Sequence, residues 1–165
     1  MSSNLKNLSQ YTKFGIEKYS KEKNYKIGIV VSEWNQEVTG NLAEAAINTL
    51  NKYGYTSENI ILKHVPGSFE LPLAAQYLIE IQQVAAVICL GCVIQGDTRH
   101  FDFVCSGVTQ GIMTLNLKYG IPISFGLLTT NNLQQAIDRS GGKLGNKGDE
   151  AAVAVLKMLF VKNNL

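Results

Sequence analysis

Apolar and polar positions along the chain alternate between short continuous runs and longer helical stripes. Lys26 to Val31 (KIGIVV) has the length and β-branched character of a strand. Val38, Leu42, Ala45, Ala46, Thr49, Leu50 and Tyr53 then recur at three- and four-residue spacing, which predicts an amphipathic helix stopped by Gly54. Asn59 to Val65 reads as a second strand, followed after Pro66-Gly67 by a helix with Leu73, Ala74, Tyr77, Leu78 and Ile81 on its inner stripe. The uninterrupted run Val84 to Gly91 predicts a strand buried on both faces. A third helix carries Val104, Val108, Ile112, Leu115 and Tyr119 and ends at Gly120. Ile121 to Leu128 is the fourth strand, with Pro122 near its start, where a missing N–H is tolerated. A short helix over Leu133 to Arg139 and a glycine-rich stretch, Gly141 to Gly148, lead into a closing helix over Asp149 to Lys162, with Ala152, Val155, Leu159 and Met158 facing inward.

Strands alternating with helices imply a parallel sheet covered on both faces. The expected fold is α/β: a three-layer α/β/α sandwich around a central, mainly parallel four-stranded sheet, flavodoxin-like in outline, with room for an extra amino-terminal strand. Residues 25–165 form one predicted domain and residues 1–24 an arm. Ligands of such sheets bind outside the carboxyl ends of the strands. That places four turns at one edge: Ser32 to Asn35, Pro66 to Glu70, Cys92 to His100, and Phe125 to Thr130.

Composition adds exclusions. At 165 residues with a net charge of +2, the chain has a full-sized core and no charge excess suited to nucleic acid. Lys6, Lys13, Lys18, Lys21, Lys23 and Lys26 cluster at the amino end but are interspersed with Glu17 and Glu22, as in a solvated arm. No apolar core of a secretory leader follows Met1, and the stretch Val84 to Ile94 is too short to cross a bilayer, so a cytoplasmic protein without a membrane partner is expected. Cys89 and Cys92 spell CxxC, yet residues three apart on a strand point to opposite faces and share neither a metal nor a disulfide. With Cys105 the count is odd, which suits reduced thiols. No His, Cys, Asp and Glu combination has metal-ligand spacing, and GxxxxGK[ST], GxGxxG and GxSxG are all absent. No cofactor is therefore expected.

The turns carry the candidate chemistry. Trp34, the single tryptophan, falls in a strand-to-helix turn, where its ring either stacks on a planar heterocycle or covers the local core. Pro66 to Glu70 offers backbone amides, a ring and a carboxylate, although Glu70 also suits a helix dipole. In Leu90 to Asp102 (LGCVIQGDTRHFD), Gly96, Asp97 and Thr98 precede a helix whose free N–H groups favour an anion, and His100 is the side chain most readily poised for proton transfer near neutral pH. The same Asp97 and Thr98 suit simple helix capping. Arg139 could hold a phosphate with its planar fork or end its helix as a cation. His64, within a strand, reads as structural.

Taken in order, EWN (Glu33 to Asn35), VPGSFELP (Val65 to Pro72), GCVIQGDTRHFDFV (Gly91 to Val104), FGLLTT (Phe125 to Thr130) and QAIDRSGGKLGNKGDEAA (Gln135 to Ala152) closely resemble lumazine synthase. The resemblance runs from about residue 25 to the end. It implies condensation of 5-amino-6-(D-ribitylamino)uracil with 3,4-dihydroxy-2-butanone 4-phosphate to 6,7-dimethyl-8-ribityllumazine, the penultimate step of riboflavin biosynthesis, with no metal or redox cofactor. His100 is implied as the proton-transfer residue and Trp34 as the ring stacked on the pyrimidine. Ser68, Phe69 and Glu70 would line the ribityl and pyrimidine site, and Cys92, Val93 and Ile94 would contact the pyrimidine through backbone groups. Gly96, Asp97, Thr98 and Arg139 would hold the butanone phosphate, while Phe125 and Lys147 complete the pocket.

The resemblance also implies a homo-oligomer. Phe125, Arg139 and Lys147 would come from the neighbouring chain of a pentamer, and the direct GGKLGNKG link resembles that of members forming a 60-subunit icosahedral shell. Riboflavin synthase is an implied partner. Gln95 departs from the pattern, standing where the family usually has a basic residue. Two competing readings remain at this point: a non-catalytic flavin or lumazine binder, and a chiefly structural shell protein.

Overall fold

A computed structural model of the chain describes residues 25–165; the arm expected over residues 1–24, and any strand it would add, lie outside the described residues. Four strands, β1 (Ile27–Ser32), β2 (Ile60–Val65), β3 (Ala86–Ile94) and β4 (Ile123–Thr130), form one all-parallel sheet in the order β2-β1-β3-β4. Helices α1 (Gln36–Lys52), α2 (Leu71–Gln82), α3 (His100–Tyr119), α4 (Leu133–Arg139) and α5 (Lys147–Asn163) follow the strands. A short antiparallel hairpin, β5 (Ser140–Gly142) with β6 (Gly145–Asn146), joins α4 to α5.

The sheet separates two cores, which gives the expected three layers. On one face Ile27, Ile29, Val31, Ile88 and Leu90 meet Leu42 and Leu50 of α1 and Val155 and Leu159 of α5. On the other, Val30, Val87 and Cys89 meet Leu71 and Leu78 of α2 and Val108 and Ile112 of α3. Cys89 and Cys92 fall into opposite cores, as the alternation of a strand requires. α1 and α5 are locked together where Thr49 Oγ1 donates to Asp149 Oδ1 at 2.7 Å in the buried layer.

Several expectations need correction. β3 runs to Ile94 rather than Gly91, because Cys92, Val93 and Ile94 still pair with Leu128, Thr129 and Thr130 of β4. Phe125 to Thr130 is likewise strand, so the fourth turn begins at Asn131. The inner face of α2 is Leu71, Ala75, Leu78 and Ile79, whereas Leu73, Tyr77 and Ile81 are exposed. A three- and four-residue pattern names a stripe, but when two apolar stripes share one helix it does not say which faces the sheet. Ala45 is only half-buried while Ala43 is buried, and Met158 is exposed. The glycine-rich stretch is the β5–β6 hairpin, with Gly141 at φ 117° and Gly145 at φ 88°, conformations open chiefly to glycine. α5 starts two residues early, capped by the Asn146 side chain, which accepts from Gly148 N at 2.8 Å. His64 lies in the edge strand β2, exposed.

Candidate active site

One cavity of about 710 Å³ opens at the carboxyl edge of the sheet, lined by Trp34, Gly67, Ser68, Phe69, Glu70, Cys92, Val93, Ile94, His100, Phe103 and their neighbours Asn35 and Val104. The chain turn after β1 delivers Trp34, a short 3-10 turn after β2 delivers Ser68 to Glu70, β3 ends in the cavity wall, and His100 is the first residue of α3. Residues from three separate turns thus meet only because parallel strands present the same ends together.

Trp34 is 72% exposed, which rules out the local-core reading. Its indole edge lies against Gly67, where an added Cβ would approach Trp34 Cδ1 at 3.5 Å and Glu70 Oε2 at 3.1 Å. Indole and carboxylate therefore share one wall. Phe69, 62% exposed, lies over Gly107 of α3, whose missing Cβ leaves room for the ring at 3.0 Å. Ser68 is also in the wall; its hydroxyl is buried without a hydrogen-bond partner among the described residues, above the space left by Gly91. Burial pushes the Cys92 thiol up to about 11, so it is a neutral lining group at neutral pH.

The turn over Gly96, Asp97 and Thr98 is exposed and bends the chain from β3 into α3. Thr98 Oγ1 accepts from His100 N at 3.4 Å, and Arg99 pairs with Asp102 at 3.7 Å; no side chain caps the helix at Arg99. The capping reading of Asp97 and Thr98 thus reduces to that one weak bond.

Six implied residues do not line this cavity: Gly96, Asp97 and Thr98, in the exposed turn just before His100, and Phe125, Arg139 and Lys147. Phe125 sits mid-strand in β4 opposite Cys89, half-buried against the α2–α3 side of the core. Arg139, at the end of α4, gives Nη2 to both oxygens of Glu150 at 2.8 and 2.9 Å and Nη1 to Leu144 O at 2.6 Å. Lys147 joins the same carboxylate at 3.4 Å. One chain therefore carries the cavity at one place and a preassembled Arg-Lys-Glu cluster at another. Asn35, Phe103 and Val104 are wall residues outside the expected set, although Asn35 stands in the EWN motif and Phe103 and Val104 end GCVIQGDTRHFDFV; only the fold turns them into wall.

An α/β/α sandwich whose ring-lined, mostly apolar cavity sits at the carboxyl edge of its parallel strands defines a doubly wound α/β protein with a small-molecule site. Comparison with known proteins narrows the class. The family model described as 6,7-dimethyl-8-ribityllumazine synthase matches residues 24–163. A protein of that name from Parabacteroides distasonis is 57% identical over 159 residues, 96% of this chain and 98% of the relative. Its counterpart in Cytophaga hutchinsonii is 60% identical over 132 residues, 80% of this chain and 83% of the relative, and that of Bacteroides fragilis is 56% identical over 134 residues, 81% and 94%. The chain belongs to the 6,7-dimethyl-8-ribityllumazine synthase family.

Proposed function

We propose that the protein condenses 5-amino-6-(D-ribitylamino)uracil with 3,4-dihydroxy-2-butanone 4-phosphate, releasing phosphate and water and forming 6,7-dimethyl-8-ribityllumazine for riboflavin biosynthesis. The observation that carries this reading is the convergence of Trp34, Glu70 and His100 on one cavity. An aromatic amine must attack a ketone, phosphate must leave and a ring must close; positioning and proton transfer suffice for each. Trp34 stacks on the pyrimidine, and Phe69 and Glu70 with the Ser68 backbone hold the ribityl chain, the Glu70 carboxylate accepting from its hydroxyls. Backbone groups of Cys92, Val93 and Ile94 read the pyrimidine edge. His100, at the amino end of α3, moves protons at the reacting amine and carbonyl. Gly96, Asp97 and Thr98 form the phosphate turn beside it.

Arg139, Lys147 and Phe125 serve a neighbouring chain's cavity in this account, within a pentamer. Support comes from their placement away from the chain's own cavity and from exposed apolar residues on α2 and α3, Leu73, Tyr77, Ile81, Phe103, Met113 and Leu117, of the kind that assembly covers. The short β5–β6 link supports the shell-forming arrangement of such pentamers, with riboflavin synthase as a further partner. Free Cys89, Cys92 and Cys105 support a reducing, cytoplasmic setting. Residues 25–165 act as the single catalytic domain. No helix among the described residues is long and apolar enough to cross a membrane.

The test is to mix the protein with both substrates and follow lumazine absorbance and fluorescence together with phosphate release, subtracting the uncatalysed condensation. A protein-dependent rate with one phosphate per lumazine is expected. Tight binding of lumazine or flavin with no rate above background would favour the non-catalytic binder instead.

A further inference from the structure

We propose that Asn35 is a positioning residue for the heterocycle-binding wall, holding Trp34 in place by a side-chain hydrogen bond across the sheet. The proposal rests on the reading of Trp34 as the stacking residue.

Asn35 sits at the N-cap of α1 with φ 59° and ψ 47°, one of two non-glycine residues of positive φ among those described. Asparagine tolerates that region better than other side chains, and at an N-cap it normally turns its side-chain oxygen onto the helix's own N–H groups. Here the side chain makes no capping bond. Instead Asn35 Nδ2 donates to Cys92 O on β3 at 3.0 Å, while the main-chain Asn35 O takes the helix's first N–H groups, from Val38 at 2.8 Å and Thr39 at 3.0 Å.

The bond falls where β1 has no further main chain to offer. Pairing of β1 with β3 ends at Val31 opposite Leu90, two residues short of Cys92. On the other side, Glu33 N donates to Val65 O at 2.9 Å, which carries the β1–β2 pairing one step past the strand. Trp34 is thus bracketed: the residue before it is tied to β2 and the residue after it to β3. Trp34 is 72% exposed and meets the chain only along one indole edge at Gly67, so the two flanking bonds set where the ring stands over the cavity.

Two variants separate the parts. Asn35→Gly keeps the left-handed backbone and removes the cross-sheet donor; Asn35→Asp keeps shape and backbone preference but sets a carboxylate oxygen against the carbonyl. Both are measured in the full-length protein for steady-state kinetics, thermal unfolding, Trp34 fluorescence anisotropy, and Trp34 quenching by the ribitylaminouracil alone. Each variant should lower the anisotropy of Trp34 and raise KM for the ribitylaminouracil by about three- to tenfold, the worth of one hydrogen bond, with KM for the butanone phosphate unchanged and kcat within about twofold. Unchanged anisotropy and KM in either folded variant, or equal losses in both KM values and kcat, would overturn the proposal. Absence of quenching in the wild-type protein would instead overturn the stacking reading of Trp34 and the proposal with it.

Discussion

Arg139 and Glu150 form a largely buried ion pair in which one guanidinium nitrogen reaches both carboxylate oxygens, at 2.8 and 2.9 Å. Side-chain exposure is 15% and 9%, and Lys147 Nζ approaches the same carboxylate at 3.4 Å. A single acid therefore balances two cations. Removing the acid leaves both uncompensated, whereas removing Arg139 leaves Glu150 still paired with Lys147. Glu150→Ala should cost about 3 kcal/mol of stability and Arg139→Gln distinctly less. Chemical denaturation of the two variants checks the order, and equal losses would contradict it.

The kinetic role proposed for Arg139 is separate from its structural one. Arg139→Gln should chiefly raise KM for the butanone phosphate, by about tenfold or more for the loss of a charge-assisted bond. KM for the ribitylaminouracil should stay near wild type. An unchanged KM for the phosphate substrate would remove Arg139 from the proposed anion site.

His100 begins α3 at the cavity wall, where a proton can pass between the imidazole and a bound amine or carbonyl. General acid-base help contributes on the order of 10²-fold or more, while orientation of the two substrates contributes independently. His100→Ala should therefore slow turnover without abolishing it. A folded, ligand-binding variant with no activity above background would contradict this division.

The cysteines give a pH dependence of known sign. Burial pushes Cys89 up to about 12 and Cys92 up to about 11, from an ordinary value of 9.0. A thiol whose folded-state value is raised adds stability below its unfolded value and loses it as pH climbs toward the folded one. Stability should therefore fall between about pH 9 and pH 12, visible as a falling midpoint in denaturant titrations, and Cys92→Ala should reduce that slope. At pH 8 turnover of Cys92→Ala should stay close to wild type, because a neutral thiol neither attacks nor shuttles protons. A large loss of turnover at unchanged stability would give the thiol a role it lacks here.

Much of this fold was legible in the chain, for reasons visible in particular residues. Within the run Val84 to Gly91, Ala86 onward is buried strand, as its apolar continuity predicts, and Gly120, at φ 59°, stops α3 where its stripe ends. What stayed hidden depends on partners distant in sequence. The extension of β3 through Cys92, Val93 and Ile94 exists because β4 pairs with them. The inner face of α2 is chosen by tight contacts such as Leu78 against Gly28 and Pro72 against Gly111, not by the spacing of its own apolar residues. Gly148 reads in sequence as one more glycine of a loose stretch, yet a Cβ there would collide with Leu42 O of α1, so it sets how closely the two helices approach. The cavity residues Trp34, Ser68 to Glu70, Cys92 to Ile94 and His100 all stand in motifs visible in the chain, while the pairing of Arg139 with Glu150 and the cross-sheet bond of Asn35 do not, because both are three-dimensional facts.

The separation of the cavity from the Arg139 and Lys147 cluster makes one claim central: the chemistry takes place where two chains meet. Co-expression of a Trp34→Ser/His100→Ala double variant with Arg139→Gln measures it directly. In mixed assemblies some interfaces join an intact cavity from one chain to an intact Arg139 from the next, so lumazine formation at limiting butanone phosphate should recover to about a quarter of the wild-type rate for random mixing. A rate no higher than the average of the two separately purified variants would contradict a shared site and return Arg139 to a purely structural role.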